Sequence, residues 1–290
     1  MTLRYAYPRP NEDMDGGLEA QRMPDQLCEL LAGSATRLHT LDVEAVWSPA
    51  LAQLCRSLPA LRTLRLDLLH AYWRDWGGPA APDLVASAPE QAVALLRELG
   101  QVNSLTFSVD SSAGSDDEDE AMHADMFGEE EEDEEEEAGK RLPSLAGIPN
   151  LHGLEVRQRV LPPADWKQLT LLRRLELRCN GLVSPEDLGF GDSLSQLSSL
   201  THLRLGYGAL PDRGALLPAV CTLPALRSLH CVGKLWSRGA DDRLQLQLPP
   251  AFTQLRLRQM RVRHMPLSEA SKRLLEAMPR AKVKEEGVNL

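Results

Sequence analysis

The chemically versatile side chains in this chain of 290 residues are seven histidines, five cysteines and two dense runs of carboxylates. Histidine and cysteine hold zinc when they recur at short, regular spacings. Here His39, His70, His123, His152, His202, His230 and His264 are scattered, and Cys28, Cys55, Cys179, Cys221 and Cys231 form no C-x-x-C pair. An odd number of widely spaced cysteines reads as reduced, mostly buried thiols of the cytosol or nucleus, not as a disulfide framework. G-x-S-x-G, a phosphate-cradling glycine loop, H-E-x-x-H and the dinucleotide-binding glycines do not occur in the sequence. The expectation is a chain that is not an enzyme and takes no cofactor and no metal.

The carboxylates are concentrated. Ser115 to Glu137 holds 15 acidic residues and no Lys or Arg, within a chain of formal net charge −10. Without that run, 32 bases face 27 acids, so a mildly basic body carries an acidic insert. The run self-repels and cannot bury apolar surface, which predicts a disordered loop. Calcium is a poor fit, because a loop centred on Gly128 would need an acid at His123. The loop reads either as a solubilising segment, as an internal competitor lying over basic surface, or as a binder of basic partners.

The remaining candidate chemistry is carried by arginines, and their placement depends on leucines. Leu172-Arg-Arg-Leu175-Glu-Leu177-Arg-Cys-Asn180-Gly-Leu182 reads L-x-x-L-x-L-x-x-N-x-L. Looser copies are Leu38/Leu41/Val43, Leu61/Leu64/Leu66, Val102/Leu105/Phe107, Leu151/Leu154/Val156, Leu200/Leu203/Leu205, Leu226/Leu229/Cys231 and Phe252/Leu255/Leu257. Five of the seven intervals between copies run from 21 to 28 residues, and the two longer ones hold the acidic run and the segment 71–82. Insertions that coincide with loop-like composition leave a stacked core intact.

Through these eight copies the chain resembles the leucine-rich repeat family, in its degenerate intracellular form. The resemblance implies an α/β solenoid with a curved parallel sheet on the concave side and helices or helical turns on the convex side. It also gives Asn180 the family's role of satisfying backbone groups between neighbouring turns. Each L-x-L is then a short strand with its leucines inward. Between strands, Ser48-Pro49 opens a helical pattern to Leu58, and Pro89 to Leu99 repeats it. Pro24 to Leu31 reads as an N-terminal capping helix, Ser268 to Met278 as a C-terminal one, and Ala281-Lys282-Val283 as a last edge strand. Leu3 to Tyr7 alternates like a strand, which would start the chain inside a partial repeat. The resulting organisation is an N-terminal segment and cap (1–37), three repeats (38–110, with insertion 71–82), an acidic loop (111–141), five repeats (142–265) and a C-terminal cap and tail (266–290).

Side chains between the inward leucines face outward. Arg157, Arg174, Arg178, Arg204, Arg256 and Arg258 crowd the later repeats together with His202 and His230, while Asp42, Glu44 and Asp67 mark the earlier ones. This predicts an arginine-lined concave surface for an acidic protein partner; the competing reading is ordinary solvated charge, partly neutralised by Glu155 and Glu176. Trp73 and Trp76 form an aromatic pair in the first insertion, either an interaction knob or a loop tucked onto its own repeat. Nucleic acid is disfavoured, since no aromatic stacking set accompanies the arginines. No apolar run is long enough to span a membrane and the N-terminus lacks a signal-like apolar stretch, which predicts a cytoplasmic (nuclear, cytoskeletal or ciliary) monomer.

The function expected from this resemblance is a non-catalytic protein-interaction scaffold. One alternative is the substrate-recognition arm of an SCF-type ubiquitin ligase, for which Met23 to Leu31 only faintly matches the start of an F-box. Another is a regulatory part of a cytoskeletal or ciliary assembly.

Overall fold

The computed structural model describes residues 1–6, 23–45, 47–69, 88–110, 143–158, 165–179, 194–206, 213–232, 245–264, 266–278 and 281–286. Ten strands form one sheet whose spatial order is the chain order, and every neighbouring pair is parallel. They are β1 (Thr2–Ala6), β2 (Thr40–Ala45), β3 (Thr63–Leu69), β4 (Ser104–Asp110), β5 (Leu151–Gln158), β6 (Arg174–Cys179), β7 (His202–Leu205), β8 (Ser228–Val232), β9 (Gln259–Arg263) and β10 (Lys282–Glu286). Among the described residues the helices are α1 (Asp25–Ser34), α2 (Pro49–Ser57), α3 (Ala88–Glu98), α4 (Arg213–Cys221) and α5 (Glu269–Glu276), with 3-10 turns at Trp166–Gln168 and Pro250–Gln254.

The inward strand residues explain the sheet. Leu41/Val43, Leu64/Leu66, Leu105/Phe107, Leu154/Val156, Leu175/Leu177, Leu203/Leu205, Leu229/Cys231 and Met260/Val262 are all buried. The leading leucine of each copy (Leu38, Leu61, Leu172, Leu200, Leu226) is buried as well, and all belong to one continuous apolar core. The helices close that core from one side. In α2 the Ser48 hydroxyl accepts from the Leu51 amide and Pro49 occupies the first turn, while Leu51, Leu54 and Cys55 face inward. In α3, Ala92, Val93, Leu95 and Leu96 do the same. The Arg56–Glu98 pair at 2.9 Å ties α2 to α3 along the exposed side.

Successive units are stitched by backbone just ahead of each strand. The carbonyl of His39 accepts from the amides of Arg62 and Thr63, that of Arg173 from Thr201 and His202, that of Thr201 from Arg227 and Ser228, and that of Arg227 from Arg258 and Gln259. Sharing one carbonyl between two amides of the next unit satisfies the turn without a side chain. One asparagine does assist: the Asn150 amide donates to the Val102 carbonyl at 2.8 Å. Asn180, expected in that role, lies outside the described residues.

Two registers differ from the leucine pattern. The eighth copy was expected at Phe252/Leu255/Leu257. The strand is instead Gln259–Arg263, so the copy is Leu257/Met260/Val262, five residues later. Pro249-Pro250 opens a 3-10 turn that buries Phe252 and lets Leu255 face the core without a ladder. Both frames satisfy the same spacing, with Leu257 shared, and methionine disguises the true one. Arg256 and Arg258 are therefore exposed residues ahead of β9, not outward strand positions.

The second difference lies between β4 and β5. Leu105 pairs with Leu151, yet Thr106 pairs with Gly153, leaving His152 as an extra residue. In an L-x-x-L motif both leucines face inward although their spacing is odd. Elsewhere the first of them lies before the strand; here Asn150 at φ 58° admits Leu151 into the ladder. The bulge then restores the alternation that a plain strand would have inverted. Gly153 fits the step, because a Cβ there would lie 2.7 Å from Thr106 Oγ1.

The ends also add to the expected eight copies. β1 pairs with β2 from Thr2↔Thr40 to Ala6↔Glu44, and β10 pairs with β9 as the far edge.

Candidate functional site: the outward face of the sheet

Parallel pairing sets the outward residues side by side in rows. The central row reads Glu44, Asp67, Ser108, Glu155, Glu176, Arg204, His230, Arg261, Lys284, each the register partner of the next. It changes sign once, between β6 and β7. The row beside it reads Asp42, Arg65, Thr106, Gly153, Arg174, His202, Ser228, Gln259, Lys282. Asp42 lies between Arg4 at 3.7 Å and Arg65 at 3.8 Å, so the first strands largely neutralise themselves.

The sign change is built around Glu176. Its side chain is only 1% exposed, with Arg204 Nη1 at 2.8 Å from Oε1 and Arg174 Nη2 at 3.0 Å from Oε2. A carboxylate this buried needs such charge-assisted partners to offset its desolvation. Asp67 and Glu155 of the same row are likewise buried.

The expected site residues divide as follows. Arg174, His202, Arg204 and His230 occupy outward positions on β6, β7 and β8. The register pairs Arg157 with Arg178 one row further along β5 and β6. Arg256 and Arg258 are off the strand, as noted above. His202 Nδ1 is 2.8 Å from the Thr201 hydroxyl, which itself donates to the Arg173 carbonyl, so this ring is oriented by its own unit. Trp73, Trp76 and the acidic run 115–137 lie outside the described residues. Arg261, Arg263, Lys282 and Lys284 stand on outward positions that the leucine pattern missed or left unread. Their signal was available in the alternation of Met260 and Val262 with arginines, and of Val283 with lysines.

Among the described residues, Cys28, Cys55, Cys221 and Cys231 are not activated as nucleophiles. Burial pushes the Cys55 and Cys231 thiols up to about 12 and those of Cys28 and Cys221 to about 11. Burial, then the charge of Arg173, lowers the His152 imidazole below its ordinary value at the β5 bulge. Among the described residues, no three His, Cys, Asp or Glu side chains converge in a way that would hold a metal ion. No helix among them is long and apolar enough to cross a membrane.

No protein-family model matches the chain, and no curated protein matches it in sequence. Among solved structures it is similar to an internalin from Listeria monocytogenes, at 13% identity and a TM-score of 0.29, over 86% of this chain and 80% of that one.

Proposed function

We propose that the chain is a leucine-rich-repeat-type solenoid serving as a non-catalytic protein-interaction scaffold, with its partner received on the outward face of the sheet. One observation carries this reading: the two faces of the sheet are chemically opposite. The inner face is buried aliphatic core, whereas no described element covers the outer face and its central row is acidic on β2, β3, β5 and β6 and basic on β7, β9 and β10. Ten strands at about 4.8 Å spacing and about five residues of 3.3 Å each give roughly 700 Å² of face, close to one side of a standard interface. Outward residues contribute little to the core and are free to suit a ligand.

Site-specific photo-crosslinking in cells tests the reading. The crosslinker is placed at His230 or Arg261 on the outward face, and at the exposed Gln53 or Ala94 on the helix side. Support is a common protein adduct from His230 and Arg261 that the helix positions do not give. Adducts of equal yield from both sides, or from the helix side alone, overturn the reading.

A further inference from the structure

Resting on that strand-face reading, we infer that the β7–β10 half of the face is the docking surface for an acidic polypeptide segment. Its core is the row Arg204, His230, Arg261 and Lys284, bordered by Arg258 and Lys282. Three intervals of about 4.8 Å place the four row residues within about 14 Å, the span of four or five residues of extended peptide.

The row sets the polarity of the partner. On one side of the sign change stand Glu155 and Glu176; on the other stand three cationic residues and a histidine. Glu176 is engaged by Arg174 and Arg204 at the edge of the basic field. Arg258, Arg261 and Lys282 have no carboxylate partner among the described residues. Arg261 is also held in place: with the Gln259 amide oxygen turned toward it, that oxygen accepts from Nε at 2.6 Å and Nη2 at 3.0 Å. A guanidinium already oriented loses less freedom on meeting a carboxylate. In the neighbouring row, Arg263 stands opposite Glu286 of the edge strand.

A polypeptide suits the face better than a nucleic acid. No Phe, Tyr or Trp occupies an outward position from β6 to β10, so there is no platform for stacking bases. A phosphate backbone continuing past β7 would also run onto Glu155 and Asp67.

The test measures binding of a fluorescent oligoglutamate peptide to the full chain at low and high salt. Binding at low salt that weakens as salt rises is expected. Arg261→Glu weakens it about fivefold, and Arg261→Gln about twofold should the reversal fail to fold. Arg273→Glu makes the same charge change at an exposed site on α5 and leaves binding unchanged. Equal losses from Arg261→Glu and Arg273→Glu overturn the inference, as does equal or tighter binding of an oligothymidine. Peptide binding that appears only after the acids of Glu129 to Glu137 are neutralised to amides also overturns it, and gives the face to the chain's own acidic run. No peptide binding alongside intact strand-face crosslinks sinks the acidic partner alone; loss of both sinks the strand-face reading too.

Discussion

Replacing Arg204 by methionine removes one of the two arginines that engage Glu176. The carboxylate is 1% exposed and is held by Arg204 at 2.8 Å and Arg174 at 3.0 Å, with the arginine side chains 24% and 59% exposed. Removing one partner of a buried ion pair costs about 3–5 kcal/mol when the other is stranded. Arg174 keeps one oxygen engaged and the cluster lies at a surface, so Arg204→Met is expected to cost about 2 kcal/mol. Glu176→Gln removes the charge but keeps an acceptor, and is expected to cost about 1 kcal/mol. The double variant should be destabilised by less than the sum, with a coupling of at least about 1 kcal/mol, because no buried charge is left unmatched. Urea unfolding of the four proteins supplies the cycle, and hydrogen exchange locates it. Each strand touches only its two sheet neighbours, so protection should fall at β6 and β7 and persist at β2 and β3. The deficit should survive added salt, since buried charges are poorly screened. Additivity within about 0.3 kcal/mol, or a cost for Arg204→Met below about 0.5 kcal/mol, would refute the reasoning.

Four further outcomes follow from the geometry. Gly153→Ala places a Cβ 2.7 Å from Thr106 Oγ1 and 2.9 Å from its Cγ2, so thermal unfolding should show a loss of about 1–3 kcal/mol that Thr106→Ala in the same chain largely reverses; no loss would mean that the strands separate freely at this step. Ser271→Ala strands the Leu248 amide and removes one of the two donors to the Leu246 carbonyl, each 2.8 Å from the buried hydroxyl, and should cost about 1–3 kcal/mol with protection lost around α5. His152 is lowered by burial first and by Arg173 second; its neutral form is favoured when folded, so it should erode stability as pH falls below about 6.5, and His152→Asn should flatten that slope. Cys55 and Cys231, pushed to about 12, should resist a thiol-specific disulfide reagent at pH 8 until the chain unfolds, and rapid native labelling of either would contradict their burial.

Much of the sheet was legible because its inward residues obey a spacing that few other folds impose. Leu172, Leu175 and Leu177 identify their strand by themselves, and the copies from Leu38 to Cys231 fall on strands. The pattern failed where two frames overlap: Leu257 ends one L-x-x-L-x-L match and begins another, and only the 3-10 turn after Pro249 decides between them. It failed again at β5, where the left-handed Asn150 adds a residue to the ladder and no composition signal announces it. The outward identities of Arg174, His202, Arg204 and His230 came through because strand alternation is local information. The clasp between Glu176 and Arg204 did not, since it depends on which residues stand opposite each other across strands. Its burial was equally hidden, because a glutamate at an outward position ordinarily reads as solvated.

Coincidence of chain order with sheet order makes this architecture extensible. Duplicating or deleting one coil lengthens or shortens the sheet without rerouting any other segment. The central row carries one letter per coil, so its polarity behaves like a short text whose acidic and basic words can be edited separately. Another unit added to the sheet would extend one of the two words, with Glu176 and Arg204 kept as punctuation between them.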